Sequence, residues 1–241
     1  MNYTLITGAT SDIGIQIAKV LEQSGHSVLF TDLSEEALSA ARQQMNEPQK
    51  HLILSLDLSQ VEECKNTLTQ YLTEKSIYIS CAVFAAGVFG LKSIKMIDYG
   101  FLKRSFDIAV FSVYSLIQVL SSKKANGGVL KSLVFISSVN AKIGTKGYTI
   151  YAGVKSAMLG MMKSFAVELA PKVRVNAVLP GAVRTKTTAF IFDSQEGTNP
   201  RYLLGDGEPL DIANAIDFLL SEKSKWITGQ EIIVDGGLTV N

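Results

Sequence analysis

The chain has 241 residues, 47% of them hydrophobic and 19% charged, which excludes a disordered chain and is enough for one α/β domain with a sizeable core. A formal net charge of +1 leaves no basic footprint for a nucleic acid or an anionic membrane. No apolar run reaches the ~18 residues of a bilayer span, so membrane insertion is not expected.

Short apolar strands alternate with helical stretches along the whole chain. Thr4 to Thr7 reads as a buried strand, and Ile13 to Gln23 as a helix with apolar residues at helical spacing. Ser27 to Thr31 is the second strand. Ser34 is the expected N-cap of the next helix, with Glu35 and Glu36 in a first turn where the helix dipole favours them. His51 to Asp57 is the third strand, and Val61 to Leu72 a helix. Ile79 to Gly87 is the fourth strand, followed by a long helical stretch from Asp98 to Ser122. Leu130 to Ser138 is the fifth strand. Tyr148 to Ala170 is a long helix stopped by Pro171. Val173 to Gly181 and Glu231 to Gly237 are the sixth and seventh strands. Strands this apolar are buried on both faces, as in a parallel sheet covered by helices. The expected fold is α/β: a doubly wound Rossmann fold, a seven-stranded parallel sheet with helices on both faces, in a single domain over residues 1–241. The one long irregular stretch, Lys186 to Pro209, has the length of a lid or binding loop.

The turn after the first strand, Thr7 to Gly14, reads TGATSDIG. Glycine lets a backbone approach a pyrophosphate closely, and N–H groups at the helix start hold phosphates, which suits Gly8 and Gly14. Asp12 sets a negative charge in that turn, and is expected to cap the helix or to adopt positive φ there. Asp32 closes the second strand. A carboxylate there accepts from ribose hydroxyls and repels a 2′-phosphate; the alternative is a helix-capping Asp. Asp57, at the end of the third strand, would meet the adenine amino group or cap the next helix.

Tyr151 and Lys155 stand four apart, on one helix face, with Ser138 thirteen residues upstream of the Tyr. A neighbouring ammonium stabilises phenolate and lowers a Tyr pKa. Tyr151 is therefore the expected proton donor to a carbonyl, or base toward an alcohol. Cys64 and Cys81 have no metal-like spacing and read as buried free thiols, with no metal site. The opening MNYTLITGAT lacks a basic, apolar leader pattern, so a cytoplasmic location is expected.

In order and at these spacings, Thr7, Gly8, Gly14, Asp57, Gly87, Ser138, Tyr151, Lys155, Asn176, Pro180 to Thr185, Thr228 to Gln230 and Val234 to Gly237 resemble the short-chain dehydrogenase/reductase family over the whole chain. Within it the likeness is nearest to the 3-oxoacyl-carrier-protein reductase-like group. The resemblance implies that Ser138 bonds the substrate oxygen, Tyr151 transfers the proton, and Lys155 holds the nicotinamide ribose and lowers the Tyr pKa. It implies cofactor contacts at Gly8, Ser11, Asp12, Ile13, Gly14, Asp32, Asp57, Leu58, Ala86, Gly87, Tyr151, Lys155, Pro180, Gly181, Val183 and Thr185. Ser11 stands where NADP enzymes often carry Arg or Lys, so NAD(H) is favoured over NADP(H). The family's Asn-Asn-Ala-Gly at the fourth strand is here Phe84-Ala85-Ala86-Gly87, and Ala109 replaces the Asn that links the Lys to solvent through a water. Asn140 or Ser112 could stand in for that Asn; otherwise Asn140 caps its loop and Ser112 packs.

The expected activity is interconversion of a secondary alcohol and a ketone by hydride transfer. The partner is a small-molecule carbonyl or alcohol of unknown identity, and a homotetramer or homodimer is expected. One alternative is a 3-oxoacyl-(acyl-carrier-protein) reductase using NADPH. Another is a non-catalytic nucleotide-binding sensor or structural partner. Lys142, Lys146, Arg184, Lys186 and Arg201 either favour an anionic substrate or form a solvated rim. Within the loop, Gly197, Gly205 and Gly207 permit movement, and Phe190, Ile191, Phe192, Tyr202 and Leu203 offer an apolar underside.

Overall fold

In the computed structural model, residues 2–189, 192 and 201–241 are described. Their main elements are β1 (Asn2–Thr7), α1 (Asp12–Gln23), β2 (Val28–Asp32), α2 (Glu35–Arg42), β3 (Leu52–Ser55), α3 (Val61–Lys75) and β4 (Tyr78–Phe84). There follow α4 (Tyr99–Phe106), α5 (Ser112–Ser121), β5 (Ser132–Ile136), α6 (Thr149–Glu168), β6 (Arg174–Pro180), α7 (Pro209–Leu220) and β7 (Glu231–Val234).

All seven strands join one parallel sheet in the order β3-β2-β1-β4-β5-β6-β7. Alternate residues of each strand feed opposite faces, because the side-chain period of a strand is two. Leu5, Phe84, Leu133, Phe135 and Ala177 enter one core with Leu68 of α3, Leu116 of α5 and Met158 of α6. Ile6, Val83, Val134 and Val178 enter the other, with Ile17 and Leu21 of α1, Leu38 of α2, and Ile212 and Ile216 of α7. Helices thus cover both faces. The strand order reverses between β1 and β4, and the crevice at the C-terminal ends of those strands is where a doubly wound sheet takes its ligand.

Several boundaries differ from the sequence expectation, each for a physical reason. β4 stops at Phe84 rather than Gly87 because the N–H groups of Ala85 and Ala86 donate to the Thr7 hydroxyl, at 3.1 and 3.2 Å, instead of to a neighbouring strand. The helical stretch from Asp98 to Ser122 is two α-helices joined by a π-helical turn at Asp107–Phe111. β3 ends at Ser55, so Asp57 lies beyond the strand, and Gln60, not Asp57, is the N-cap residue of α3. α7 is left unassigned by the chain-order pattern, yet its signals are present. Pro209 stands at its first position, and Ile212, Ile216 and Leu219 repeat at helical spacing and are fully buried. Among the described residues, no helix is long and apolar enough to cross a membrane.

Candidate active site

A cavity of about 590 Å³ opens at the switch point. Its wall includes Thr10, Ser11, Asp12 and Ile13 from the β1–α1 turn, Gly87, Ser138, Tyr151 and Lys155, and Pro180, Gly181, Val183 and Thr185 after β6. Gly8, Gly14 and Ala86 do not line the cavity but shape its floor. Gly8 has φ +68°, and a Cβ there would stand 2.9 Å from the Ala86 backbone. A Cβ at Gly14 would stand 2.4 Å from the Gly8 carbonyl oxygen. Only glycine allows this close turn, so the cradle fits a dinucleotide's diphosphate against the N-terminus of α1.

The cap of α1 is Ser11, whose hydroxyl accepts from the Gly14 N–H at 3.0 Å. Asp12 neither caps nor takes positive φ, contrary to the sequence expectation; it is the first helical residue. Its Oδ2 accepts from the Lys186 N–H at 2.7 Å, which ties the cofactor turn to the segment after β6. Asp32 does not line the cavity itself. Thr10, which does, donates to Asp32 Oδ2 from its hydroxyl at 2.5 Å and from its N–H at 3.2 Å. The Leu33 N–H holds Oδ1 at 2.8 Å, so the carboxylate is fixed in one orientation. Asp57 and Leu58 lie outside the cavity wall. Asp57 folds back on Ser59, whose hydroxyl and N–H hold its carboxyl below the ordinary range.

At the other end, Ser138, Tyr151 and Lys155 converge. β5 delivers Ser138 just past its C-terminal end, and α6 carries Tyr151 and Lys155 one turn apart on one face. The Lys155 ammonium is buried, donates to the Ile136 carbonyl at 2.7 Å, and lies 5.6 Å from the centre of the Tyr151 ring. Burial pushes its pKa down to about 8. The Tyr151 phenol behaves opposite to expectation in this geometry. Burial raises its pKa, the hydrogen bond to Ser138 pulls it back, and Tyr148 adds to the rise. The ammonium is turned to a backbone carbonyl.

Asn140 bonds within its own loop, as the loop-capping reading has it. Its Nδ2 and N–H donate to the Ser138 hydroxyl at 3.4 and 3.2 Å, and its Oδ1 accepts from Thr145 at 2.7 Å. Ala109 is fully buried in the π turn, and the Ser112 hydroxyl bonds back to the Ile108 carbonyl at 2.7 Å. After β6, a Cβ at Gly181 would stand 2.9 Å from Asp235 Cα, which leaves the turn no room for another residue. Val183 bridges to Gly207, and the Thr188 hydroxyl touches both the Val183 carbonyl and the Thr185 hydroxyl, at 2.5 and 2.8 Å.

Wall residues not anticipated include Phe89, Tyr148, Thr188 and Leu238. The rings of Phe89, Tyr148 and Tyr151 pack mutually edge-on, with centroids 5.6 to 5.8 Å apart. Tyr148 stands three residues before Tyr151, a spacing that shares a helix face and could have marked it. Of the five cations at the rim, Lys142 pairs with Glu231, Arg184 with Asp206 and Lys186 with Asp12. Of the loop residues expected as an apolar underside, Phe192 is buried and Leu203 is 61% exposed, while Phe190 and Ile191, and Gly197 among the glycines expected to permit movement, lie outside the described residues.

A family model described as enoyl-(acyl carrier protein) reductase matches residues 8–239. A 3-oxoacyl-(acyl-carrier-protein) reductase of Thermotoga maritima is 32% identical over 98% of this chain and 97% of its own length. A cyclopentanol dehydrogenase of Comamonas sp. is 30% identical over 98% of this chain and 96% of its own. The solved structure of a Brucella melitensis protein, titled a short-chain dehydrogenase/reductase and glucose/ribitol dehydrogenase, superposes with a TM-score of 0.88 at 29% identity. The match covers 98% of this chain and 96% of that one.

Proposed function

This chain belongs to the short-chain dehydrogenase/reductase family, and from that premise we propose that it interconverts a secondary alcohol and a ketone, using NAD(H) in preference to NADP(H). Membership makes it an NAD(P)-dependent oxidoreductase. The observation that carries the finer reading is the convergence of Ser138, Tyr151 and Lys155 on one wall of a cavity whose far end is the glycine cradle at α1.

The nicotinamide, when bound, supplies or accepts the hydride. Everything else falls to the chain. Gly8, Ser11, Ile13 and Gly14 would hold the diphosphate, and Pro180, Gly181, Val183 and Thr185 the nicotinamide end. Asp32, fixed by Thr10, would accept from the adenosine ribose hydroxyls and oppose a 2′-phosphate by charge. The Ser138 hydroxyl, oriented by Asn140, would bond the substrate oxygen. Tyr151 would give that oxygen its proton in reduction and take it in oxidation. Burial raises its pKa, so the phenol is the proton-bearing form before the site fills, and an approaching ammonium would make it the stronger acid. Lys155 would turn from the Ile136 carbonyl toward the ribose and the phenol as the site fills.

The cyclopentanol dehydrogenase relative supports a small secondary alcohol, and the aromatic wall of Phe89 and Tyr148 suits an apolar one. The 3-oxoacyl-(acyl-carrier-protein) reductase relative supports a competing reading with NADPH and a thioester substrate. Asp32 and the pairing of Lys142 and Arg184 weigh against it. We also propose a homotetramer or homodimer, since Phe111, Tyr114, Val167 and Trp226 leave large apolar area exposed. The deciding experiment titrates NADH and NADPH by fluorescence, then assays cyclic alcohols and ketones beside an acetoacetyl thioester. NADH should bind tighter, and Tyr151→Phe should cut turnover by roughly 10²–10⁴ with cofactor affinity little changed. Tighter NADPH binding with thioester reduction would establish the competing reading. Cofactor binding with no turnover on any substrate would favour a sensor.

A further inference from the structure

Asp12 is the feature of this site that the proposed chemistry leaves unexplained. It is the first residue of α1, so its carboxylate occupies the same positive helix end that a diphosphate would use. Two anions at one helix end repel each other unless a cation stands between them. The structure provides that cation. The Lys186 N–H donates to Asp12 Oδ2 at 2.7 Å, and the Lys186 ammonium stands 3.9 Å from Asp12 Oδ1. Both residues line the cavity beside Ser11 and Ile13.

The two contacts differ in kind. The backbone bond is short and fixes where the Lys186 side chain starts. The ammonium contact is longer than a hydrogen bond, and the side chain is 93% exposed. Its donors are therefore free to turn to a second anion at little cost. Three other cations of the cavity region are committed elsewhere. Lys142 pairs with Glu231, Arg184 pairs with Asp206 and stacks on Phe192, and Lys155 is buried against the Ile136 carbonyl.

We propose that Lys186 is a diphosphate-binding residue of the cofactor site, and that Asp12 is a positioning residue holding it at the mouth of the glycine turn. This rests on the cofactor reading above. The carboxylate that looks hostile to a dinucleotide thereby recruits the cation that offsets it. The same contact links the cofactor turn to the segment Thr185–Thr188, so an occupied diphosphate site steadies the nicotinamide end as well.

The test is calorimetric titration of the cofactor-free protein with NADH, ADP-ribose and AMP, at low salt and at about 0.5 M salt, where surface charge is screened. Lys186→Met should weaken NADH and ADP-ribose alike by about 2- to 5-fold at low salt, the upper range of one exposed charge contact. AMP, which lacks the second phosphate, should change by less than about twofold, and the loss should shrink at high salt. Lys186→Glu should weaken both dinucleotide ligands further. Asp12→Asn keeps an acceptor for the Lys186 N–H and removes the competing charge, so it should tighten NADH. Asp12→Ala, equally uncharged but without that acceptor, should bind NADH more weakly than Asp12→Asn, and equal affinities would overturn the positioning role. Lys186→Met in the Asp12→Asn background should still weaken NADH. NADH and ADP-ribose affinities within about twofold of wild type for Lys186→Met would overturn the proposal while leaving the cofactor reading intact, as would an equal loss for AMP. A wild-type protein that binds neither NADH nor NADPH would overturn the cofactor reading and this proposal with it.

Discussion

Lys155 shows how burial, not sequence spacing, sets the chemistry of a residue. Desolvation alone lowers its pKa to about 8, from an unfolded value near 10.5. Its ammonium has one backbone partner, the Ile136 carbonyl, and no carboxylate among the causes of its shift. Between about pH 8 and pH 10.5 the unfolded chain therefore binds a proton at this residue that the folded chain has released. Stability contributed by this residue should rise with pH across that window. Urea denaturation of wild type and Lys155→Met at pH 7 and pH 9.5 should show wild type gaining relative to the variant at the higher pH, which removes the opposing effects of the raised tyrosines. An unchanged difference would mean that the ammonium stays charged. Around it, three carboxylates expected to face a cofactor each have a protein partner: Asp12 holds Lys186, Asp32 is held by Thr10, and Asp57 is held by Ser59.

Among elements, the segment after β6 matters most. Its root is knotted by hydroxyls, Thr188 to Val183 and Thr185, and pinned to α1 by Asp12. Its far end returns through Tyr202, whose hydroxyl accepts from the Ala182 N–H at 3.2 Å, and through the Val183–Gly207 bridge. Both ends are thus anchored beside the reactive end of the cavity. Residues 190–191 and 193–200 between these anchors lie outside the described residues; we propose that the segment Lys186–Pro209 closes on substrate and excludes water. Hydrogen exchange at the backbone amides of the segment should slow when NADH and substrate bind. Slow exchange in both states would instead mark a fixed contact between subunits. The π turn at Asp107–Phe111 is a second element-scale feature. It interrupts the helix where Ala109 replaces an expected Asn, and Ser112 bonds back to Ile108 instead of reaching the site.

Across the whole molecule, a buried polar pin ties α1 to β2 and to the loop before β3. The Val28 N–H donates to His51 Nδ1 at 3.0 Å, which leaves Nε2 to donate to Glu22 Oε1, also at 3.0 Å. Glu22 further accepts from Asn46 and Glu47. Burial alone would raise the Glu22 pKa, but the His51, Asn46 and Glu47 hydrogen bonds outweigh it and bring it down to about 2. The stability this contributes is present above about pH 4.5 and is lost as pH falls from there toward 2. Glu22→Gln should cost about 1–3 kcal/mol at pH 7, and its penalty should shrink by pH 3. Urea midpoints at the two pH values measure this, and a penalty equal at both would remove charge as the cause.

Local pattern alone determined the alternation of strands and helices, the parallel sheet, the glycine turn and the Ser–Tyr–Lys spacing. Each depends on steric and periodic rules that act within a few residues. Tertiary structure decided the partners. Asp12 meets Lys186 across 174 positions of chain, and Thr10 meets Asp32 across 22. No short-range rule brings such pairs together. The direction of the Tyr151 shift is set by its burial, and the partner of the Lys155 ammonium was likewise a matter of packing. That partner was a backbone carbonyl of β5, placed there by the packing of α6 on the sheet. A hydrogen bond falls off within an ångström or two, so these assignments needed coordinates rather than spacing.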